Sequence, residues 1–98
     1  MIMKQEPSHL AEIVSFFALH HGLTEREREI VYCLSKHGYS NKRLGNELGI
    51  TEKTVKNHIA KIQEKTRASS TRELLAMVLE QFTVHHRIMA DKAMKLAL

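Results

Sequence analysis

The segment from Ser40 to Lys65, SNKRLGNELGITEKTVKNHIAKIQEK, constrains the fold of this 98-residue chain more than any other. Ser40 supplies a hydroxyl that can accept from a first-turn N–H, which predicts a short helix from Asn41 to Leu48. Leu44 and Leu48 share its inner face. Gly45 stands mid-helix, where glycine costs about 1 kcal/mol against alanine, so a compensating close approach by the following helix is expected. Gly49 ends the helix, Ile50 plugs the corner, and Thr51 caps a second helix from about Glu52 to Thr66. At about 100° per residue, Val55, Ile59 and Ile62 point to one side. Lys53, Asn57 and Ala60 point to the other, Lys56 and Lys61 flank them, and Glu64 faces outward near the far end. Two helices joined by a three-residue corner, with an apolar inner face and a basic outer one, have the layout of a helix-turn-helix, which lays its second helix in the DNA major groove.

Charge placement agrees with that layout. Residues 1–39 carry four Lys/Arg and five Glu, residues 40–67 seven and three, and residues 68–98 four and three Asp/Glu. The net positive charge of +4 thus sits on the segment that would meet phosphates. Only 5% of residues are aromatic and there is one proline, so a small aliphatic helical bundle is expected rather than a sheet. The single cysteine, Cys33, excludes an intrachain disulfide and is read as a small core residue. No signal peptide or membrane-spanning apolar run is present, and the bacterial cytoplasm is the expected location.

The flanking segments also read as helices. The first seven residues are expected to fray. From Ser8 to about His21, Leu10, Ile13, Val14 and Phe17 recur at helical spacing, and this stripe needs a surface to cover it. Thr24 and Glu27 form a capping box that opens a helix to about Lys36, burying Ile30, Val31 and Leu34. Ser70 and Glu73 form a second. The helix after it carries the stripe Leu74, Leu75, Val78, Leu79 and Phe82, and beyond Phe82 either an extension or a separate short helix is expected.

Leu23 to about Leu79 resembles the LuxR-type (GerE-like) helix-turn-helix domain of bacterial transcription regulators. LTEREREIV looks like the start of the family's first helix, SNKRLGNELGIT its second helix and turn, and TEKTVKNHIAKIQEK its recognition helix; Arg72 stands where the family usually has arginine. Arg43-Leu44-Gly45 replaces the family's common Glu-Ile-Ala, and Thr66 replaces a usual leucine, which is expected to loosen packing there. The resemblance implies an all-α fold: a four-helix DNA-binding domain (23–80) with an added N-terminal helix (1–22) and a C-terminal helical tail (81–98). It implies base-facing roles for Lys56, Asn57, Ala60 and Lys61, and phosphate-facing roles for Ser40, Asn41, Lys42, Lys53 and Thr54, to which Arg43 and Lys65 add charge. It also implies dimerisation through the last helix, by Leu74, Leu75, Val78, Leu79 and Phe82.

The expected function is therefore a sequence-specific, DNA-binding transcription regulator acting on double-stranded DNA as a homodimer, with RNA polymerase a further candidate partner. The alternatives are a sigma-factor region-four-like component of RNA polymerase, or a protein-interaction module that keeps the fold without binding DNA. Only 22 residues precede Leu23, which fits a stand-alone regulator or a piece of a longer one; the Met-Ile-Met start favours the former. No Gly-rich phosphate loop, nucleophile–base set or carboxylate pair points to an enzyme. His58 reads as a packed histidine. His20-His21 and His85-His86 lack the further ligands a metal would need, so neither metal nor cofactor is expected.

Overall fold

A computed structural model describes residues 9–97, and the expected fraying of the first seven residues and helix start at Ser8 lie outside that range. Five helices follow in order: α1 His9–His21, α2 Glu25–His37, α3 Asn41–Leu48, α4 Glu52–Thr66 and α5 Thr71–Ala97. The described chain is all-α. The segment after Phe82 takes the first of its two expected forms, because α5 continues unbroken for 27 residues.

Local chemistry sets each boundary. Thr24 closes a complete capping box on α2: its hydroxyl accepts from the Glu27 N–H, and Glu27 Oε1 accepts from the Thr24 N–H at 2.8 Å. Ser40 Oγ accepts from the Arg43 N–H, and Thr51 Oγ1 from the Thr54 N–H. Before α5, Ser70 Oγ accepts from the Glu73 N–H, but the return bond differs from a strict box: Glu73 reaches Ser69, one residue earlier. The α3–α4 corner depends on two glycines. Gly49 takes φ 69°, the left-handed region. Gly45 is buried, and a Cβ there would stand 2.7 Å from the Ile50 carbonyl oxygen. The close approach expected at Gly45 is therefore made by the corner's own backbone and the start of α4, rather than by the body of that helix.

One core unites the helices. Ile30, Val31 and Leu34 of α2, Leu44 of α3, Val55, Ile59 and Ile62 of α4, and Leu74 and Val78 of α5 are buried together. Ile13, Val14 and Phe17 of α1 join the same cluster, at 2% exposure or less. The stripe on α1 finds its cover here, since α1 packs on both α2 and α5. Each large aliphatic side chain so buried contributes about 1.5–3 kcal/mol of transfer free energy, so α1 is a structural part of the bundle.

One expectation changes near the end of α4. Thr66 is buried at 5% exposure and its hydroxyl donates to the Ile62 carbonyl at 2.8 Å while accepting from the Ala68 N–H at 3.3 Å. The smaller side chain fastens the exit of the helix rather than loosening it. Arg67 then turns the chain at φ 65°, the one non-glycine positive φ among the described residues.

Candidate nucleic-acid interface

The α4 helix is held from three sides, by α2, α3 and α5. Val55, Ile59 and Ile62, at 7% exposure or less, fix its rotation about its own axis. What remains outward follows from that rotation: Lys53, Lys56, Asn57, Ala60, Lys61 and Glu64 are all exposed. No aromatic or long apolar side chain interrupts this face. At 1.5 Å per residue α4 is about 22 Å long, and a bare helix of this kind fits a major groove about 12 Å wide. His58 is half-buried at the edge of the inward stripe.

The side chains expected at phosphates fall into different settings. Lys53 is exposed, and Thr54 is half-buried, its hydroxyl accepting from Thr51 Oγ1 at 2.9 Å. At the start of α3, Asn41 is half-buried, while Ser40, Lys42 and Arg43 are exposed. The Arg43 guanidinium lies 4.3 Å from the centre of the Tyr39 ring, which also stacks on His37 at 4.5 Å and 9°. This cation–π contact orients Arg43 without neutralising it. Lys56 approaches Glu52 at 3.8 Å, with both side chains largely in solvent. Such a pair is worth about 0–1 kcal/mol and yields readily to a phosphate.

Lys65 departs from the expected set. Its ammonium donates to Glu27 Oε1 at 2.8 Å, and Glu27 is 3% exposed. The same oxygen closes the Thr24 capping box. Burial pushes the Glu27 carboxyl up, but the hydrogen bonds from Lys65 and Thr24 outweigh it and hold the group below the usual carboxylate range. Lys65 thus ties the far end of α4 to the start of α2, and no phosphate role is retained for it.

The expected dimerisation stripe divides in the same way. Leu74 and Val78 are at 0% and 3% exposure in the chain's own core, and Leu75 is half-buried against it. Leu79 at 66% and Phe82 at 37% remain outside. Leu10 of α1 and Ser35 of α2 line a shallow pocket with Leu75, Val78, Leu79 and Phe82. A helical stripe has the same period whether it meets its own chain or another, and here its first half lies in the chain's own core, where α5 packs on α1, α2 and α4.

The remaining reactive groups are unremarkable in placement. Cys33 is half-buried, and burial, with Glu29 and Glu47 nearby, pushes its thiol up. Among the described residues no group of three or more His, Cys, Asp or Glu is arranged to hold a metal ion, and no helix is long and apolar enough to cross a membrane.

Residues 21–78 match the family described as bacterial regulatory proteins of the luxR family. The chain belongs to this family. It is 54% identical over 46 residues to the transcriptional regulatory protein LiaR of Bacillus subtilis strain 168, covering 47% of this chain and 21% of LiaR. It is 40% identical over 58 residues to the transcriptional regulatory protein FixJ of Azorhizobium caulinodans, covering 59% and 27%. Against the spore germination protein GerE of Bacillus subtilis strain 168 it is 44% identical over 59 residues, covering 56% of this chain and 78% of GerE. The chain therefore spans about a quarter or less of LiaR and FixJ but most of GerE. No solved structure gives a significant match. The LuxR-family segment comprises α2, α3, α4 and the first two turns of α5, together with the joints between them. Nearly all of α1, and α5 beyond Val78, fall outside it. The structural pairs that sequence reasoning missed, Glu27 with Lys65 and Tyr39 with Arg43, lie within it; the first spans 38 residues of chain and leaves no periodic signature.

Proposed function

We propose that this LuxR-family chain is a sequence-specific DNA-binding transcription regulator that places α4 in the major groove of double-stranded DNA and acts as a homodimer. The observation that carries the reading is the outer face of α4, basic and free of bulky side chains, on a helix whose rotation is fixed by three buried residues. Asn57 is the leading base contact, since its amide can pair with adenine N6 and N7. Lys56 and Lys61 reach bases or the adjoining phosphates, and Ala60 leaves room for a thymine methyl. Lys53 and Thr54 lie beside one strand's backbone. Ser40, Asn41, Lys42 and Arg43 lie beside a phosphate run at the α3 terminus, where free N–H groups and the helix dipole favour an anion. Homodimer symmetry would set two half-sites about 10 base pairs apart, centre to centre.

Selection of bound sites from random DNA, followed by a gel shift on the selected sequence, tests this reading. Lys56→Ala with Asn57→Ala should abolish the specific shift with an unchanged melting temperature, because both side chains are exposed. Lys42→Ala should lower the slope of log affinity against log salt by about 0.9. Unchanged binding by the double variant would exclude this face as the DNA-reading surface.

A further inference from the structure

The homodimer reading above leaves open what the two copies share, because most of the expected stripe is used up inside each chain. A standard interface takes about 800 Å² from each partner. At about 200 Å² for a fully exposed large side chain, Leu79 and Phe82 supply only about a quarter of that. The missing area lies next to them, on the two segments outside the family match.

The outer side of α1 exposes Phe16 at 56% and Leu19 at 81%. Phe16 and Glu12 also belong to a groove of 680 Å³ between α1 and α5, whose α5 wall includes Phe82, His85 and Met89. Phe16 and His85 face one another across it, ring centres 6.0 Å apart. Phe82, His85 and Met89, then Leu96 a heptad further on, share one side of α5 at coiled-coil spacing. At 1.5 Å per residue α1 is about 20 Å long and α5 about 40 Å, so α1 leaves the last turns of that seam uncovered. Met89 is 52% exposed and Leu96 88%. With Phe16, Leu19, Met89 and Leu96 included, the exposed apolar side chains on this side reach on the order of 700 Å² before any polar rim is counted, which is close to the standard requirement.

The occupant follows from area and charge. The patch carries an acid, Glu12, on α1 and a base, Lys92, between Met89 and Leu96 on the α5 seam. A surface with both signs can face a copy of itself about a two-fold axis without like charges meeting. We propose that a second copy of this chain covers the α1–α5 groove, so that the projecting end of each α5 lies against Phe16 and Leu19 of the other. The interface rests on the homodimer reading but differs from dimerisation through the Leu74–Phe82 stripe: its main contacts come from α1 and the end of α5.

Light scattering on the full chain with Leu19→Glu plus Met89→Glu tests the proposal. Both side chains are exposed, so circular dichroism and the melting curve of the dissociated chain should remain those of a folded helical bundle. The wild type is expected at twice 11.3 kDa and the double variant at 11.3 kDa. On a two-half-site DNA the variant should lose affinity on the order of 10²-fold, the gain that linking two sites provides, with binding to a single half-site unchanged. A double variant that stays dimeric, while Leu79→Glu dissociates, assigns the dimer to the α5 stripe and overturns this proposal alone. A wild type that is monomeric at every concentration, free and on DNA, overturns the homodimer reading and this interface together.

Discussion

Replacing Lys65 with methionine separates two roles that the outer charge of α4 leaves superimposed. Methionine keeps most of the aliphatic stem and removes the ammonium. In the wild type, Glu27 Oε1 accepts from Lys65 Nζ at 2.8 Å and from the Thr24 N–H at 2.8 Å, with the Glu27 side chain 3% exposed and that of Lys65 33%. Removing one partner of a fully buried ion pair costs about 3–5 kcal/mol. The lysine end reaches water here and Thr24 still serves the carboxylate, so the loss falls nearer the value of one charge-assisted hydrogen bond, about 1.5–3 kcal/mol. For a domain of this size, about 4–8 °C of melting temperature accompanies each kcal/mol, which places the expected drop on the order of 10 °C.

Thermal and urea unfolding of Lys65→Met, Glu27→Gln and the double variant form a cycle in which the two single losses should not add. The pH profile gives an independent reading. The folded-state carboxyl of Glu27 is held below its unfolded value, so its contribution is fully present above the ordinary carboxylate range and fades as pH falls through the lowered folded value. The stability gap between wild type and Lys65→Met should therefore be widest near neutrality and close in acid. Well below the melting temperature, DNA affinity and its salt slope should be unchanged. A variant with wild-type stability and a salt slope smaller by about 1 would refute the ion-pair argument and return Lys65 to the phosphates.

Three further substitutions probe the joints around α4. Gly45→Ala should destabilise by about 1–3 kcal/mol despite alanine's better helix propensity, because the new Cβ would meet the Ile50 carbonyl oxygen at 2.7 Å; a melt at or above wild type would show that the corner can move aside. Thr66→Val preserves shape but deprives the Ala68 N–H of its acceptor, a loss of about 1–3 kcal/mol measurable by urea unfolding. Arg67→Gly removes a Cβ from a left-handed backbone at φ 65°, where relief of about 1–2 kcal/mol is set against glycine's larger unfolded-state entropy of about 0.5–1 kcal/mol; the melting temperature should hold or rise by a few degrees, and a clear fall would mean that the arginine side chain contributes in its own right.

These residues mark where sequence reasoning reaches and where it stops. Caps and helix faces were legible because they are local: Thr24 sees Glu27 three residues away, and the inward side of α4 follows from Val55, Ile59 and Ile62 whatever they pack on. The α3–α4 corner and the exposed set Lys53, Lys56, Asn57, Ala60 and Lys61 could be placed on the same grounds. Identity of the partner was not local. Lys65 sits on the flank of a basic helix, and the wheel alone cannot distinguish a phosphate from a carboxylate 38 residues back. Leu74 and Val78 carry a stripe whose period is the same for a core and for a dimer.

The stripe on α5 is misplaced because its cover comes from another part of the same chain. The α1 helix enters the shared core through Ile13, Val14 and Phe17, and it packs alongside the very helix expected to dimerise. Truncating it would therefore remove core volume and confound any oligomeric readout with unfolding, since losing even one buried large apolar side chain costs about 2–5 kcal/mol from a total that is about 5–15 kcal/mol for a domain. Exposed positions such as Leu19 and Met89 escape that difficulty. A charge introduced there changes what the surface can meet without changing what holds α4 in place, so the state of assembly and the reading of DNA can be perturbed one at a time.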